Sequence, residues 1–172
     1  MSITIDIVDQ DVFTALVTLL ATIVPSGTPI VQGLDNQVAM PPTGFVLMTS
    51  TGIDRLGTNV DTLNSVTQTN AITQALRYNV QLDFIGPNSQ AWATQTQALF
   101  RDEYATDLMP ANIQPLYADD PMLLPLVNAE SQYEQRWKVQ AALQYKPTIT
   151  AAQQSATGLT IGVKPIDTYF HP

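Results

Sequence analysis

The chain has 172 residues, 45% of them hydrophobic and only 13% charged, with one histidine and no cysteine. One domain of this length buries enough surface to fold without staples, and the missing cysteine excludes disulfides, thiolate zinc sites and cysteine nucleophiles. Fifteen Asp and Glu against seven Lys and Arg give a net charge of −8, and Arg55, Arg77, Arg101, Arg136, Lys138, Lys146 and Lys164 are scattered, which excludes the basic stripe that tight nucleic-acid binding needs.

Met1 to Asp11 carries no basic segment ahead of its apolar residues. The run Val12 to Val24 is too short and too interrupted by Thr to span a bilayer, so no membrane partner is expected and synthesis in the cytoplasm is. Asp9 and Asp11 precede Phe13, Leu16, Val17, Leu20, Ile23 and Val24 at three- and four-residue spacing, which predicts an amphipathic helix ended by Pro25-Ser26-Gly27. A short extended segment, Thr28 to Gln32, is expected to pair with the strand Phe45 to Thr49 beyond a turn-rich stretch holding Asp35, Asn36, Pro41, Pro42 and Gly44.

From about residue 50 to 76 the chain turns to Thr, Asn, Gln and Asp while keeping isolated apolar residues, which predicts a long β-arm or extended loop. Its backbone groups need partners, and an extended edge is a template for pairing with another chain. Gly52, Ile53, Leu56, Val60, Leu63 and Val66 are therefore the candidate subunit-interface residues. Tyr78, Val80, Leu82 and Phe84 then alternate with Arg77, Asn79, Gln81 and Asp83, a strand with one face on a core and one in water. Gly86-Pro87 stops it. Ser89 is the expected N-cap of a second helix carrying Trp92, Leu99, Phe100 and Tyr104 near one face and ending before Pro110.

A short strand follows at Ile113 to Tyr117, then a Pro-broken apolar stretch, Pro121 to Val127. Tyr133, Trp137, Val139, Ala141, Leu143 and Tyr145 predict a second long strand, its opposite phase filled by Glu134, Arg136, Lys138, Gln140 and Gln144. A last strand is expected over Leu159 to Val163, before a C-terminal tail at 167–172. Helices and strands do not alternate regularly, so the expected fold is α+β: one domain over 1–172, a mostly antiparallel or mixed sheet, and two helices packed on one face.

Catalytic chemistry is sparse. The sole histidine, His171, stands one residue from the C-terminus, a poor place for a general base. No phosphate-cradling Gly-rich loop is present. Asp102 with Glu103, and Asp119 with Asp120, could in principle bind a divalent cation as part of a small metal-dependent hydrolase. Neighbours in sequence usually point apart, however, and Asp-Asp-Pro reads more readily as a turn. The aromatic residues fall on the apolar phases of their elements, where core packing is the default.

Several blocks in order resemble the phage neck terminator family, the virion proteins that cap a tail and meet the head-to-tail connector. They are Val31-Gln32-Gly33-Leu34-Asp35-Asn36 with Pro41, Thr58-Asn59-Val60-Asp61-Thr62, and Val80-Gln81-Leu82-Asp83-Phe84-Ile85-Gly86-Pro87-Asn88-Ser89. Leu99 to Ala105, Pro115 to Pro121 and Glu130 to Trp137 continue the series. The resemblance implies a structural virion protein of the tail or neck, without enzymatic activity or cofactor, assembled as a six-fold ring. It implies as partners the chain itself, a tail tube protein, a head-to-tail connector or adaptor and, in a contractile tail, a sheath. DNA would pass through the lumen without specific binding. Another structural part of the same machine, such as a tube, completion or connector-binding protein, is the alternative within that class.

Overall fold

The computed structural model describes residues 3–33, 41, 44–127 and 133–153. β1 (Thr4–Ile5) leads into α1 (Asp9–Ile23), whose start is fixed by Asp11: its carboxylate accepts the Val8 N–H at 2.8 Å. Asp9 and Asp11 also set negative charge at the positive end of the helix dipole. Val12, Phe13, Ala15, Leu16, Leu19 and Leu20 form the buried stripe, as the spacing predicts. β2 (Ile30–Gln32) lies parallel to the start of β3 (Phe45–Arg55), so the two expected partners do pair.

The stretch expected as an arm continues β3 to Arg55 and then forms a hairpin of β4 (Val60–Asn64) and β5 (Thr69–Thr73). β6 (Leu76–Ile85) returns along β3. The single helix expected next is two helices, α2 (Ser89–Phe100) and α3 (Glu103–Leu108). Between them the Arg101 guanidinium donates through Nε and Nη2 to the Ala118 carbonyl, and Asp102 caps the new helix by accepting the Tyr104 N–H at 3.1 Å. The break resets the helical phase. Trp92 and Phe100 are buried, whereas Tyr104, expected on the same face, is 42% exposed. Asn88, not Ser89, holds the cap position of α2, and the buried Ser89 hydroxyl donates to the Gly86 carbonyl at 2.6 Å. Gly86 has a φ of +115°, and a Cβ there would meet the Gly44 Cα at 2.7 Å, so this close approach of two chains requires glycine.

β7 (Ile113–Ala118), β8 (Met122–Leu123) and β9 (Leu126–Val127) follow, then β10 (Tyr133–Glu134), β11 (Arg136–Tyr145) and β12 (Thr148–Ala152). The long strand expected from Tyr133 is interrupted at Gln135, whose carbonyl accepts the Gly86 N–H at 3.0 Å, and β10 pairs with β9. The segments Leu159 to Val163 and 167–172 lie outside the described residues.

The central sheet has the order β2-β3-β6-β11-β7, with β8 also paired to β11. β6 and β11 are antiparallel along their whole lengths, from Arg136↔Ile85 to Tyr145↔Leu76. That register sets Tyr78, Val80, Leu82 and Phe84 beside Leu143, Ala141, Val139 and Trp137. All are fully buried except Trp137, which packs partly buried against them. The predicted core phase is therefore the observed one, and the Tyr133 side chain lies outside the described residues. Phe13 meets Tyr78 edge to face at 6.1 Å, which ties α1 to this face. Each large side chain so covered contributes roughly 1.5–3 kcal/mol. The expected α+β class holds, with three helices among the described residues where two were expected.

A second, antiparallel sheet has the order β1-β12-β5-β4. It grows from the same strands. β5 passes into β6 across Gln74 and Ala75, β11 into β12 across Lys146 and Pro147, and bonds from Leu56 N to Ala75 O and from Gln74 N to Pro147 O hold this corner at 3.0 and 3.1 Å.

Candidate subunit interface

The outer end of the second sheet is the β4–β5 hairpin. Asn64 shapes its turn, because its Oδ1 accepts the N–H groups of Val66 at 3.0 Å and Thr67 at 3.2 Å. Gln68 closes the turn at φ 52°. These bonds leave Val66 at the apex, 91% exposed. Cross-strand register sorts the sheet into two faces. Ile5, Ile149 and Ile72 line up on one, while Thr4, Thr150 and Thr62 lie on the other with Thr73 and Thr148, whose hydroxyls meet at 3.3 Å. No residue of this sheet belongs to the buried core cluster.

At the base of the arm, Gly52 sits on a register shift between β3 and β6 with a φ of +149°, a conformation that L side chains rarely adopt. Beyond it, the Asp54 carboxylate accepts three bonds: from Arg77 Nε at 3.1 Å, Arg77 Nη2 at 2.8 Å and Asn79 Nδ2 at 2.7 Å. These bonds, Arg77 first, hold the Asp54 carboxyl below its ordinary range. Among the described residues Arg55 donates only to neutral oxygens, Gly57 O at 2.8 Å and Asn59 Oδ1 at 2.6 Å.

All six candidate interface residues fall on this one projection, and all are exposed. The five apolar ones, Ile53, Leu56, Val60, Leu63 and Val66, are exposed by 47% or more. The structure thus brings together residues spread over fifteen positions of sequence, with no helix laid over them.

The carboxylates weighed as cation ligands are spent elsewhere or stand apart. Asp102 is a helix cap, and Asp120 accepts from Gln97 Nε2 at 3.1 Å. Asp120 therefore bridges to α2 instead of turning back on its own backbone, as the Asp-Asp-Pro pattern suggests it should, because α2 packs over this end of β7. Among the described residues no group of three or more His, Asp or Glu converges to hold a metal ion; His171 lies outside them. Asp83 corrects the sequence reading in the other direction. Alternation places it on the water face, yet it is 1% exposed, gripped by Arg136 in two 3.0 Å bonds and by Gln81 at 2.7 Å. A charge buried to that extent persists only with such a partner. The sequence signal for it is an Arg at the start of β11, one of the two strands beside β6.

The sequence matches the phage neck terminator protein family over residues 10–168. The chain belongs to that family. Among solved structures, this neck terminator is similar to the sheath/tube terminator of an extracellular contractile injection system, PVC, in its extended state. The two are 13% identical with a TM-score of 0.55, so the likeness is one of fold. It covers 95% of this chain, which spans 64% of the length of that one. No curated protein matches.

Proposed function

We propose that this neck terminator works as a single domain without catalysis or cofactor, made in the host cytoplasm, and that six copies close one ring at the head-proximal end of the tail. The ring ends the tail tube, and the sheath where the tail is contractile, and presents its other side to the head-to-tail connector or adaptor. Gly52, Ile53, Leu56, Val60, Leu63 and Val66 belong to the contact between neighbouring copies. One observation carries this reading: a sheet of four strands projects from the core with no layer packed over it among the described residues, its strands half-buried at most and Ile5, Val60 and Leu63 exposed. Such a sheet is incomplete as an isolated element, since sheets bury at least one face or find another partner for their edges. A head-to-tail contact that repeats by a fixed rotation closes when that rotation divides the circle.

The reading also accounts for the weakly charged surface, because charged groups are depleted at the centres of interfaces. DNA passing through a ring of acidic chains is repelled and does not stick. The test is electron microscopy of tails carrying a labelled copy of the chain. A single ring of label at the head-proximal end is expected. Label repeated along the tube, or found at the distal end, rules the terminator ring out and leaves another structural part of the tail.

A further inference from the structure

The second sheet is open at both sides. Among the described residues β1 and β4 end it, so the outer side of each presents backbone N–H and C=O groups with no strand beside them. Thr4, Ile5 and every residue of β4 are exposed. The three pairings inside the sheet, β1 with β12, β12 with β5 and β5 with β4, are all antiparallel. Because four strands alternate strictly, the two edge strands run in opposite directions. A second copy turned about an axis along the strands therefore brings its β1 antiparallel to β4 of the first, and the alternation continues unbroken.

The two edges also agree in level and in face. Thr4 pairs with Thr150, Thr150 with Ala71 and Ala71 with Thr62, so β1 and β4 stand in the same rows of the sheet. In the next row Ile5, Ile149, Ile72 and Asp61 share a face, and strand alternation puts Ile3 and Leu63 on that face too. Ile3 is 72% exposed and Leu63 52%. Joining the edges, level or staggered by two residues, sets Ile3 and Ile5 of one copy beside Leu63 of the next and prolongs the isoleucine row across the seam. The acids at the two edges are each held by their own chain: Asp6 accepts the Thr148 N–H at 2.6 Å, and Asp61 accepts from Asn70 Nδ2 at 3.4 Å.

We infer that the β1 edge of one copy is the surface on which the β4 edge of a second copy docks, by backbone pairing that carries the second sheet from subunit to subunit. Each copy gives one edge and receives the other, a heterologous contact that uses every free edge when it closes on itself. A two-fold pairing of β4 with β4 would leave both β1 edges open. This rests on the ring reading above and names the surface that receives the arm.

The chain has no cysteine, so engineered thiols report on this seam alone. Full-length Thr4→Cys is mixed in turn with Val60→Cys, Thr62→Cys and Asn64→Cys, which share its face, and with Asp61→Cys and Leu63→Cys, which do not. Each mixture is oxidised over a concentration series and again in assembled tails. One of the three same-face positions is expected to give a mixed disulfide dimer at least about tenfold above the two opposite-face positions, because a disulfide needs Cα atoms within ~7 Å and Cβ atoms turned together. Equal yields along β4 overturn the inference, since contact without strand pairing has no period of two. Dominant β4–β4 homodimers, or no mixed dimer even in assembled tails, overturn it as well. A single ring at the tail end without β1–β4 disulfides removes this seam and leaves the ring standing. Alternating β1–β4 disulfides with no ring at the tail end keep the seam and remove the terminator ring.

Discussion

The two sheets are built from the same strands and differ in what covers them. The central sheet has helices over one face, and on the other its acids are matched by arginines, Asp83 with Arg136 and Asp54 with Arg77. The second sheet has Thr on one face, Ile on the other, and a hairpin exposed along its whole outer strand. Stability therefore resides in the first sheet, and the second is left free for the contact proposed above. The same β-hydrogen bonds serve both, but among the described residues only one is closed by a layer.

The largest effect that sharpens this division belongs to the centre. Phe84→Ala empties a fully buried site on β6 and is expected to cost about 3–5 kcal/mol in denaturant unfolding. A cost below ~1 kcal/mol would mean that the core is not where the stability lies. A smaller effect, of opposite sign, belongs to Tyr78. Its hydroxyl is buried and faces the Ser50 side chain without a well-formed hydrogen bond among the described residues, so Tyr78→Phe is expected to stabilise by up to about 1 kcal/mol. Burial also pushes the hydroxyls of Tyr78 and Tyr145 above the ordinary tyrosine range. A phenol whose folded pKa is raised gives stability that is complete below its unfolded pKa and lost as pH rises past it. The alkaline loss of stability should accordingly be shallower in Tyr78→Phe than in the natural chain.

The smallest effect is expected at the arm. Leu63→Ser or Val66→Ser should change unfolding of the isolated chain by no more than about 0.5 kcal/mol, because neither side chain is packed, while the same variants fail to enter the ring. If Val66→Ser destabilised the isolated chain as much as a core truncation, the hairpin would have to be counted as part of the fold.

The sequence revealed what burial enforces. The phases of α1, β6 and β11 are set by the core, so Leu16, Leu82 and Val139 announce themselves by spacing. Where tertiary bonds override local pattern, the reading failed. Nothing in Leu99 to Ala105 marks a helix break that exists because Arg101 reaches the Ala118 carbonyl, and nothing at Gln135 shows that Gly86 will take its carbonyl. β1 and β12 were missed for another reason. Two residues cannot show a period, and Thr148 to Ala151 is half-buried on both faces, so it carries no contrast to read. The candidate arm residues were found because isolated apolar side chains in a polar stretch stand out. The exposure of Leu116, Met122 and Leu123 was not legible, because they sit in an apolar stretch that looks like core until its neighbours are placed.

The corner between the two sheets has a mechanical consequence. β5 continues into β6 and β11 into β12 with two residues between each pair, and β5 is paired with β12 just as β6 is with β11. A neighbour that pulls the hairpin along the strand direction therefore loads these ladders in shear, and many hydrogen bonds must yield together before a strand slips. A pull across the strands instead peels β4 from β5 one bond at a time. The arm is stiff under tension along its length and weak sideways, so in the proposed ring it would transmit axial force between subunits while still bending enough to be seated during assembly.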